Sequence, residues 1–344
     1  MEASSSVSSF TMLEAIQTNK DYRKTIQKNI GHCLTKTSLG LTDYYQGKVR
    51  DRYDLGHCFA LITTDRQSAF DRILATIPFK GQVLNQTGAW WFNQTKHIIP
   101  NHVIDLPDPN VTIAKKCKPF PIEFVVRGYV TGSSSTSLWT IYKEGKREYC
   151  GLSFPENLHK NQALDSPIIT PTTKEENHDR PISAKEIVQE GWMEQEHWDY
   201  CSKKALELFR YGQEIAQENG LILVDTKYEM GLSDEGEITL IDEIHTPDSS
   251  RYWIQESFEQ RLQNGQEPEN IDKEFLRLWF KDHCDPYNDP ELPPAPEGLV
   301  IELSARYIHL YETITGEDFV FPDFTKSMDK RIRANLKPFL QKSL

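Results

Sequence analysis

The sequence predicts an α+β fold in two lobes. Strand-like segments crowd residues 41–80, and helices and strands mix from about residue 122 onward. A basic, proline-punctuated stretch, Lys115-Lys116-Cys117-Lys118-Pro119-Phe120-Pro121, reads as a hinge between the two regimes. The expected division is a β-rich N-terminal lobe over 1–120 and an α/β C-terminal lobe over 121–344. A chain of 344 residues can hold one large domain or two modest ones, each with a sizeable core.

The elements follow in order. Residues 12–29 read as a helix. Gly47-Lys48-Val49-Arg50-Asp51-Arg52-Tyr53-Asp54 alternates weakly, and Cys58-Phe59-Ala60-Leu61-Ile62-Thr63-Thr64 has a buried-strand pattern. Residues 85–98 form a helix carrying Trp90, Trp91 and Phe92, and Ile122-Glu123-Phe124-Val125-Val126 is a strand. Residues 155–181 are polar and turn-rich without periodicity, and a loop of that length is functional or disordered. Helices follow at 184–189 and 198–219, the second stopped by Gly220. After a hairpin, residues 254–283 read as helical, 285–296 as a proline-rich linker and 299–315 as a last helix.

Composition narrows the function. The net charge of −12 argues against nonspecific nucleic-acid or anionic-membrane binding, while leaving room for a local basic pocket. No apolar run is long enough to span a bilayer. Residues 1–6 lack the basic and apolar regions of a secretory signal. The six cysteines are scattered singly, which suggests neither a zinc site nor a disulfide framework and fits a cytoplasmic setting.

The hairpin carries the clearest chemistry. Its first strand begins apolar at Leu221-Ile222-Leu223-Val224 and becomes charged at Asp225, Lys227 and Glu229, which share a face. A turn centred on Asp234-Glu235 sets Lys227 opposite Asp242, with Glu229 a diagonal neighbour roughly 7–8 Å from it. Two carboxylates at that spacing can converge on magnesium, which takes one or two carboxylates and completes its shell with phosphate oxygens and water. A surface hairpin with a cross-strand salt bridge explains the same residues.

Other segments supply anion-binding groups. Gly47 lets backbone amides approach a phosphate, with Lys48 and Arg50 as alternate cations, although a charged edge strand looks the same. Val125-Val126-Arg127-Gly128 runs into Gly132-Ser133-Ser134-Ser135, so a buried strand delivers an arginine to glycines and hydroxyls. The loop at 170–179 offers Lys174, His178 and Asp179, with His178 a general base by type. Asp248 and Arg251 follow the hairpin directly.

Taken together, these segments resemble the SAICAR synthetase family. The matching blocks are GKVRDRYDL, TDRQSAFD, IPFKGQVLNQ, VVRGYVTGS, TPTTKEENHD, LVDTKYEMGL and LIDEIHTPDSSRYW, in family order from about residue 40 to 255. The resemblance implies a β-rich ATP-binding lobe on an α/β lobe, distantly related to ATP-grasp enzymes and protein kinases. It implies ligation of carboxyaminoimidazole ribotide (CAIR) to L-aspartate, with ATP split to ADP and phosphate. By this resemblance Gly47, Lys48 and Arg50 sit on the ATP phosphates, and the strand from Glu123 to Val125 lines the adenine. Glu229 and Asp242 hold magnesium, and Lys227 lies beside the transferred phosphoryl. Arg127, Ser133, Asp248 and Arg251 bind the ribotide, and Lys174 and Asp179 lie near the imidazole and the incoming aspartate. Asp65, Ser68 and Asp71 match a family block. Gln67 stands where an aliphatic residue is usual, and the serine run after Gly132 is longer than the common form, leaving open which serine is the ligand. Partners are expected to be small molecules, with the chain a monomer or small homo-oligomer. A small-molecule kinase and a nucleotide-sensing module without turnover are the competing readings.

Overall fold

The computed structural model describes residues 22–175, 179–271 and 273–340. Helix α1 (Arg23–Lys28) is the described part of the helix expected at 12–29, whose earlier residues lie outside that range. Strands β1 (Tyr44–Gln46), β2 (Arg50–Asp54) and β3 (Cys58–Thr63) run antiparallel, followed by the ribbon of β4 (Arg66–Ala69) and β5 (Arg72–Thr76). Helix α2 (Lys80–Thr95) starts earlier than its aromatic residues suggest. Phe79 turns the chain at a φ of +65°, and the charge of Lys80 opens the helix because a buried carboxylate receives it. Strands β6 (Val103–Asp108) and β7 (Val111–Lys115) complete a five-stranded sheet of order β1-β2-β3-β7-β6 among the described residues.

The expected hinge at 115–121 is pinned instead. Strand β8 (Cys117–Pro119) pairs with a later strand through Gly231–Ser233, so this stretch ties the first sheet to the second. Strand β9 (Ile122–Tyr129) leads to α3 (Leu138–Lys143) and a small ribbon of β10 (Glu148–Tyr149) and β11 (Leu152–Ser153). The segment expected as one long loop contains β12 (Ala163–Ile169) and β13 (Thr172–Thr173), both paired with β9. Asp165, Ser166 and Pro167 interrupt the apolar run of β12, where its pairing with β9 is also irregular, and this hides the strand pattern.

Helices α4 (Ala184–Gln189) and α5 (Gln195–Glu218) come next, the first closed by a Ser183–Glu186 capping box. α5 buries Trp198, Cys201, Ala205, Leu208, Phe209, Gly212 and Ala216, a one-sided stripe. A Cβ on Gly212 would lie 2.4 Å from His245 Cε1, so only glycine lets α5 approach that closely. The sheet beneath is built on β14 (Leu221–Ser233), flanked by β15 (Ile238–Ile241) and β16 (Ser250–Ile254), and β9 pairs along its middle. Phe124, Val126, Leu223, Tyr228 and Met230 meet α5 in one core cluster. Each such large side chain contributes about 1.5–3 kcal/mol by leaving water.

The helical region at 254–283 is two helices, α6 (Gln255–Gln263) and α7 (Glu274–His283), parted by a segment that bridges Asn270 to Trp253. Helix α8 (Glu297–Thr315) packs on α1 and α2, and Ser304 Oγ donates to the Pro78 carbonyl at 2.7 Å. A final helix, α9 (Met328–Leu340), was not expected from the sequence. It returns to the first sheet, where Ile332 and Leu336 bury against Tyr53, Ile62 and Ile113, and Arg331 Nε donates to Asp108 at 2.9 Å.

The hairpin register differs by one residue from expectation. Leu232 pairs with Ile238, and Glu229 with Ile241, because Gly236 at φ +78° adds a residue to the turn. A regular continuation would put Asp242 on the face opposite Glu229. Asp242 instead takes a φ of +68°, which turns its carboxylate back toward Lys227.

Two predictions follow from the packing. Leu336→Ala should cost about 2–5 kcal/mol, seen as a lower urea midpoint; an unchanged midpoint would mean that α9 does not dock. Burial pushes His102 down to about 4 and His245 to about 3, against an ordinary 6.5. The unfolded chain therefore binds protons that the folded chain refuses, and stability rises with pH between those values and 6.5. His245→Asn, which tolerates the local φ of +52°, should flatten the dependence of the urea midpoint on pH. An unchanged slope would contradict a neutral, buried His245.

Candidate active site

The site begins at one ammonium. Lys227 Nζ lies 2.6 Å from Glu229 Oε1, 3.1 Å from Glu123 Oε1 and 3.5 Å from Asp242 Oδ2. β14 supplies Lys227 and Glu229, β9 supplies Glu123, and the turn after β15 supplies Asp242. Further cations hold the outer oxygens: Lys174 pairs with Glu229, and Arg50 pairs with Asp242 and lies 3.1 Å from Glu243. Burial would favour a neutral Lys227, but Glu229, Glu123 and Asp242 outweigh it and hold the lysine charged well above its ordinary range. Burial would likewise raise Asp242, yet Arg50, Lys227 and Lys174 hold its carboxyl well below the usual range.

The cluster stands between two cavities. The larger, about 420 Å³, runs from Gly47, Lys48 and Arg50 past Phe59 and Lys115 to Glu229 and Asp242. Within it Gly47 N donates to the Arg50 carbonyl at 2.8 Å, and Lys48 reaches across to Asp71. The smaller, about 250 Å³, is lined by Glu123, Arg127, Asp179, Lys227, Asp248 and Arg251, among others. Glu123 and Val125, expected beside a nucleotide base, face this smaller cavity; Lys115, Cys117 and Pro119 line the larger one.

The smaller cavity is rich in paired charge. Arg127 Nε donates to Thr170 Oγ1 at 2.7 Å, and its Nη1 lies 3.7 Å from Asp225 Oδ2, which also pairs with Arg251. Asp225 thus spaces two arginines at the buried end of its strand. Ser133 Oγ donates to Glu274. Gly132, at φ +105°, leaves no room for a side chain, since a Cβ would lie 2.3 Å from Ser137 Oγ. Partial burial, then Glu123 and Asp71, push Asp179 above its ordinary range.

Sequence reasoning missed several residues here. Lys80, fully buried, lies 2.8 Å from Asp248 Oδ2, and Tyr307 donates to Asp248 Oδ1 at 2.6 Å. Burial lowers Lys80, and Asp248 is held well below its ordinary range by Lys80 and Lys273 despite its burial. The block IPFKGQVLNQ contained Lys80, but an isolated lysine before an apolar helix carries no mark of burial. Glu243 lines the larger cavity and Glu274 and Arg277 the smaller, and none of the three carries a motif of its own that marks it in the sequence. Asp65, from the TDRQSAFD block, is structural: it accepts from Leu34 N at 2.6 Å and Gly81 N at 2.9 Å, and burial raises it to about 6. His178 lies outside the described residues.

No group of three or more His, Cys, Asp or Glu able to hold a metal is present among the described residues. The donor set at Lys227 is a pair of carboxylates, Glu229 and Asp242, converging within 3.5 Å of one atom. Two hard oxygen donors fit magnesium whose remaining positions are filled by phosphate and water.

Comparison with known proteins identifies the family. The model of the SAICAR synthetase family matches residues 43–293. The phosphoribosylaminoimidazole-succinocarboxamide synthase of Legionella pneumophila (strain Paris) is 64% identical over 308 residues, covering 90% of this chain and 99% of that protein. The chloroplastic enzyme of Arabidopsis thaliana is 62% identical over 297 residues, 85% of this chain and 72% of that protein. Among solved structures, SAICAR synthase from Saccharomyces cerevisiae in complex with SAICAR superposes with a TM-score of 0.72 at 31% identity, covering 84% of this chain and 100% of that one. A SAICAR synthetase in complex with ADP gives 0.61 at 25% identity, covering 81% and 100%. With a family model matching residues 43–293 and a relative 64% identical matched over 99% of its length, the chain belongs to the SAICAR synthetase family.

Proposed function

We propose that this cleft ligates the carboxylate of CAIR to the amine of L-aspartate, splitting ATP to ADP and phosphate and forming SAICAR for de novo purine (IMP) biosynthesis. The observation that carries the reading is the position of the Lys227 cluster, which faces both cavities at once. A carbon–nitrogen ligase of this kind must bring a nucleotide and a carboxylate substrate to one point. The larger cavity takes ATP, with Gly47, Lys48 and Arg50 toward its phosphates and the backbone around Lys115–Pro119 toward its base. The smaller takes the ribotide on Arg127, Ser133, Asp248 and Arg251. Names of solved relatives, one with SAICAR and one with ADP, support the assignment of these ligand classes.

The chemistry follows from charge. A carboxylate is a poor electrophile, so its oxygen is first phosphorylated by ATP. The aspartate amine then attacks the acyl carbon, and phosphate leaves from the tetrahedral intermediate. Lys227 stays protonated and offers a fixed positive charge to the phosphoryl in transit. Lys174 carries a second charge on the other oxygen of Glu229, and its place near the imidazole is what the family resemblance implies. Asp179, raised above its ordinary range, stands at the same rim as a proton acceptor for the incoming amine. Glu229 and Asp242 would hold a magnesium ion, which neutralises charge along the triphosphate.

The chain is read as a cytoplasmic enzyme of small-molecule substrates, a monomer or small homo-oligomer, in two working lobes over 1–120 and 121–344, with α8 and α9 of the second packing back on the first. All six cysteines lie free, and no described helix is long and apolar enough to cross a membrane. Plant relatives carry the label chloroplastic.

Purified protein with ATP, magnesium and CAIR should release ADP rapidly only when L-aspartate is added. Equal release without aspartate would favour a phosphotransferase. Asp242→Asn should lower kcat/KM by about a hundredfold or more with an unchanged far-ultraviolet spectrum; near-normal turnover would remove Asp242 from the nucleotide–metal site.

A further inference from the structure

The ribotide side of the cleft contains an anion of its own. Glu274, the first residue of α7, is buried and lines the smaller cavity. Ser133 Oγ donates to its Oε1, Arg277 Nη1 donates to its Oε2 at 3.0 Å, and Arg251 Nη2 lies 3.9 Å from that second oxygen. Lys281 Nζ reaches the same corner, donating to the Ser133 carbonyl at 2.6 Å. Ser133 and Arg251 are among the groups proposed above to bind the ribotide, and a hydroxyl, two guanidiniums and an ammonium gathered at one corner suit its phosphate better than any other part of it.

Two further features fit a temporary occupant. Arg277 Nε is buried without a hydrogen-bond partner, so the seat has donor capacity that one carboxylate leaves unused. The N-cap residue of α7, Lys273, makes no side-chain cap bond. Phosphate brings nearly twice the charge of a carboxylate and three strong acceptor oxygens.

We infer that Glu274 is a resident anion: its carboxylate occupies the seat formed by Ser133, Arg251 and Arg277 until the ribotide phosphate displaces it. The inference rests on the reading that this cavity receives the ribotide. Its consequence is selectivity. A phosphate dianion gains by exchanging with Glu274, whereas a free carboxylate such as that of L-aspartate, the second substrate, gains nothing. Glu274 thereby keeps the amino acid out of the phosphate seat.

The test is calorimetric titration of inorganic phosphate and steady-state kinetics on the wild type, E274Q and R251Q. In E274Q the Kd for inorganic phosphate and the KM for CAIR should each fall about fivefold or more. Inhibition by high L-aspartate, competitive with CAIR and absent from the wild type, should appear. A merely structural Glu274 would give the opposite pattern, a raised KM with a lowered kcat. Unchanged or weaker phosphate binding in E274Q overturns the inference. R251Q separates the two levels: weaker CAIR binding in R251Q with no tightening in E274Q defeats the inference alone, whereas CAIR binding untouched by R251Q defeats the ribotide reading. If E274Q does not fold, hydrogen exchange on the wild type decides. Amides at 274–277 should exchange faster when phosphate is added, and slower or unchanged exchange counts against displacement.

Discussion

One ammonium surrounded by three carboxylates organises this molecule. Lys227 compensates Glu123, Glu229 and Asp242 together, with Arg50 and Lys174 supporting Asp242 and Glu229 from outside, and these cations let three carboxylates share so small a space while ionised. The cluster is also a joint between the sheets. Arg50, on β2 of the first sheet, reaches Asp242 and Glu243 beyond β15 of the second. Buried charges of this kind are weak evidence for stability, because desolvation cancels much of their attraction. Their value lies in fixing several charged atoms at the point where the two cavities meet, the place proposed for the nucleotide and the carboxylate substrate.

The long strand β14 makes that convergence possible. Its apolar start lies in the core against α5, and its charged continuation runs out between the cavities. Along one strand, Asp225 spaces Arg127 and Arg251 at the smaller cavity, Lys227 stands at the crossing, and Glu229 faces the larger cavity. Alternation of side chains by two gives three functions to three successive same-face residues. Asp248 is locked separately by Lys80 and Tyr307, which fastens the turn after β15 to α2 and α8.

Much of this was legible in the sequence, and the failures have physical causes. The apolar-to-charged change along 221–229 identified β14, and the same-face rule grouped Lys227 with Glu229. The register did not follow, because the residue added by Gly236 is invisible to a count of turn residues. Asp242 reached the site through a left-handed backbone that compensated the slip. The basic stretch before Phe120 looked like a hinge because its lysines point outward, while its backbone pairs with β14. β12 was hidden by the interruption of its apolar run at Asp165, Ser166 and Pro167, and α9 by a sparse apolar pattern containing Pro338. Lys80 and Glu274 were hidden for a shared reason: a single charged residue declares its burial only when its partner, far away in sequence, is known.

The central claim is that the carboxylates gathered around Lys227 receive magnesium together with the nucleotide. A crystal of the protein with ADP and manganese, measured for anomalous scattering, tests it directly. The account predicts a manganese peak coordinated by Glu229 and Asp242, next to the ADP phosphates. A nucleotide bound with its metal elsewhere, and with both carboxylates still closed on Lys227, would contradict it.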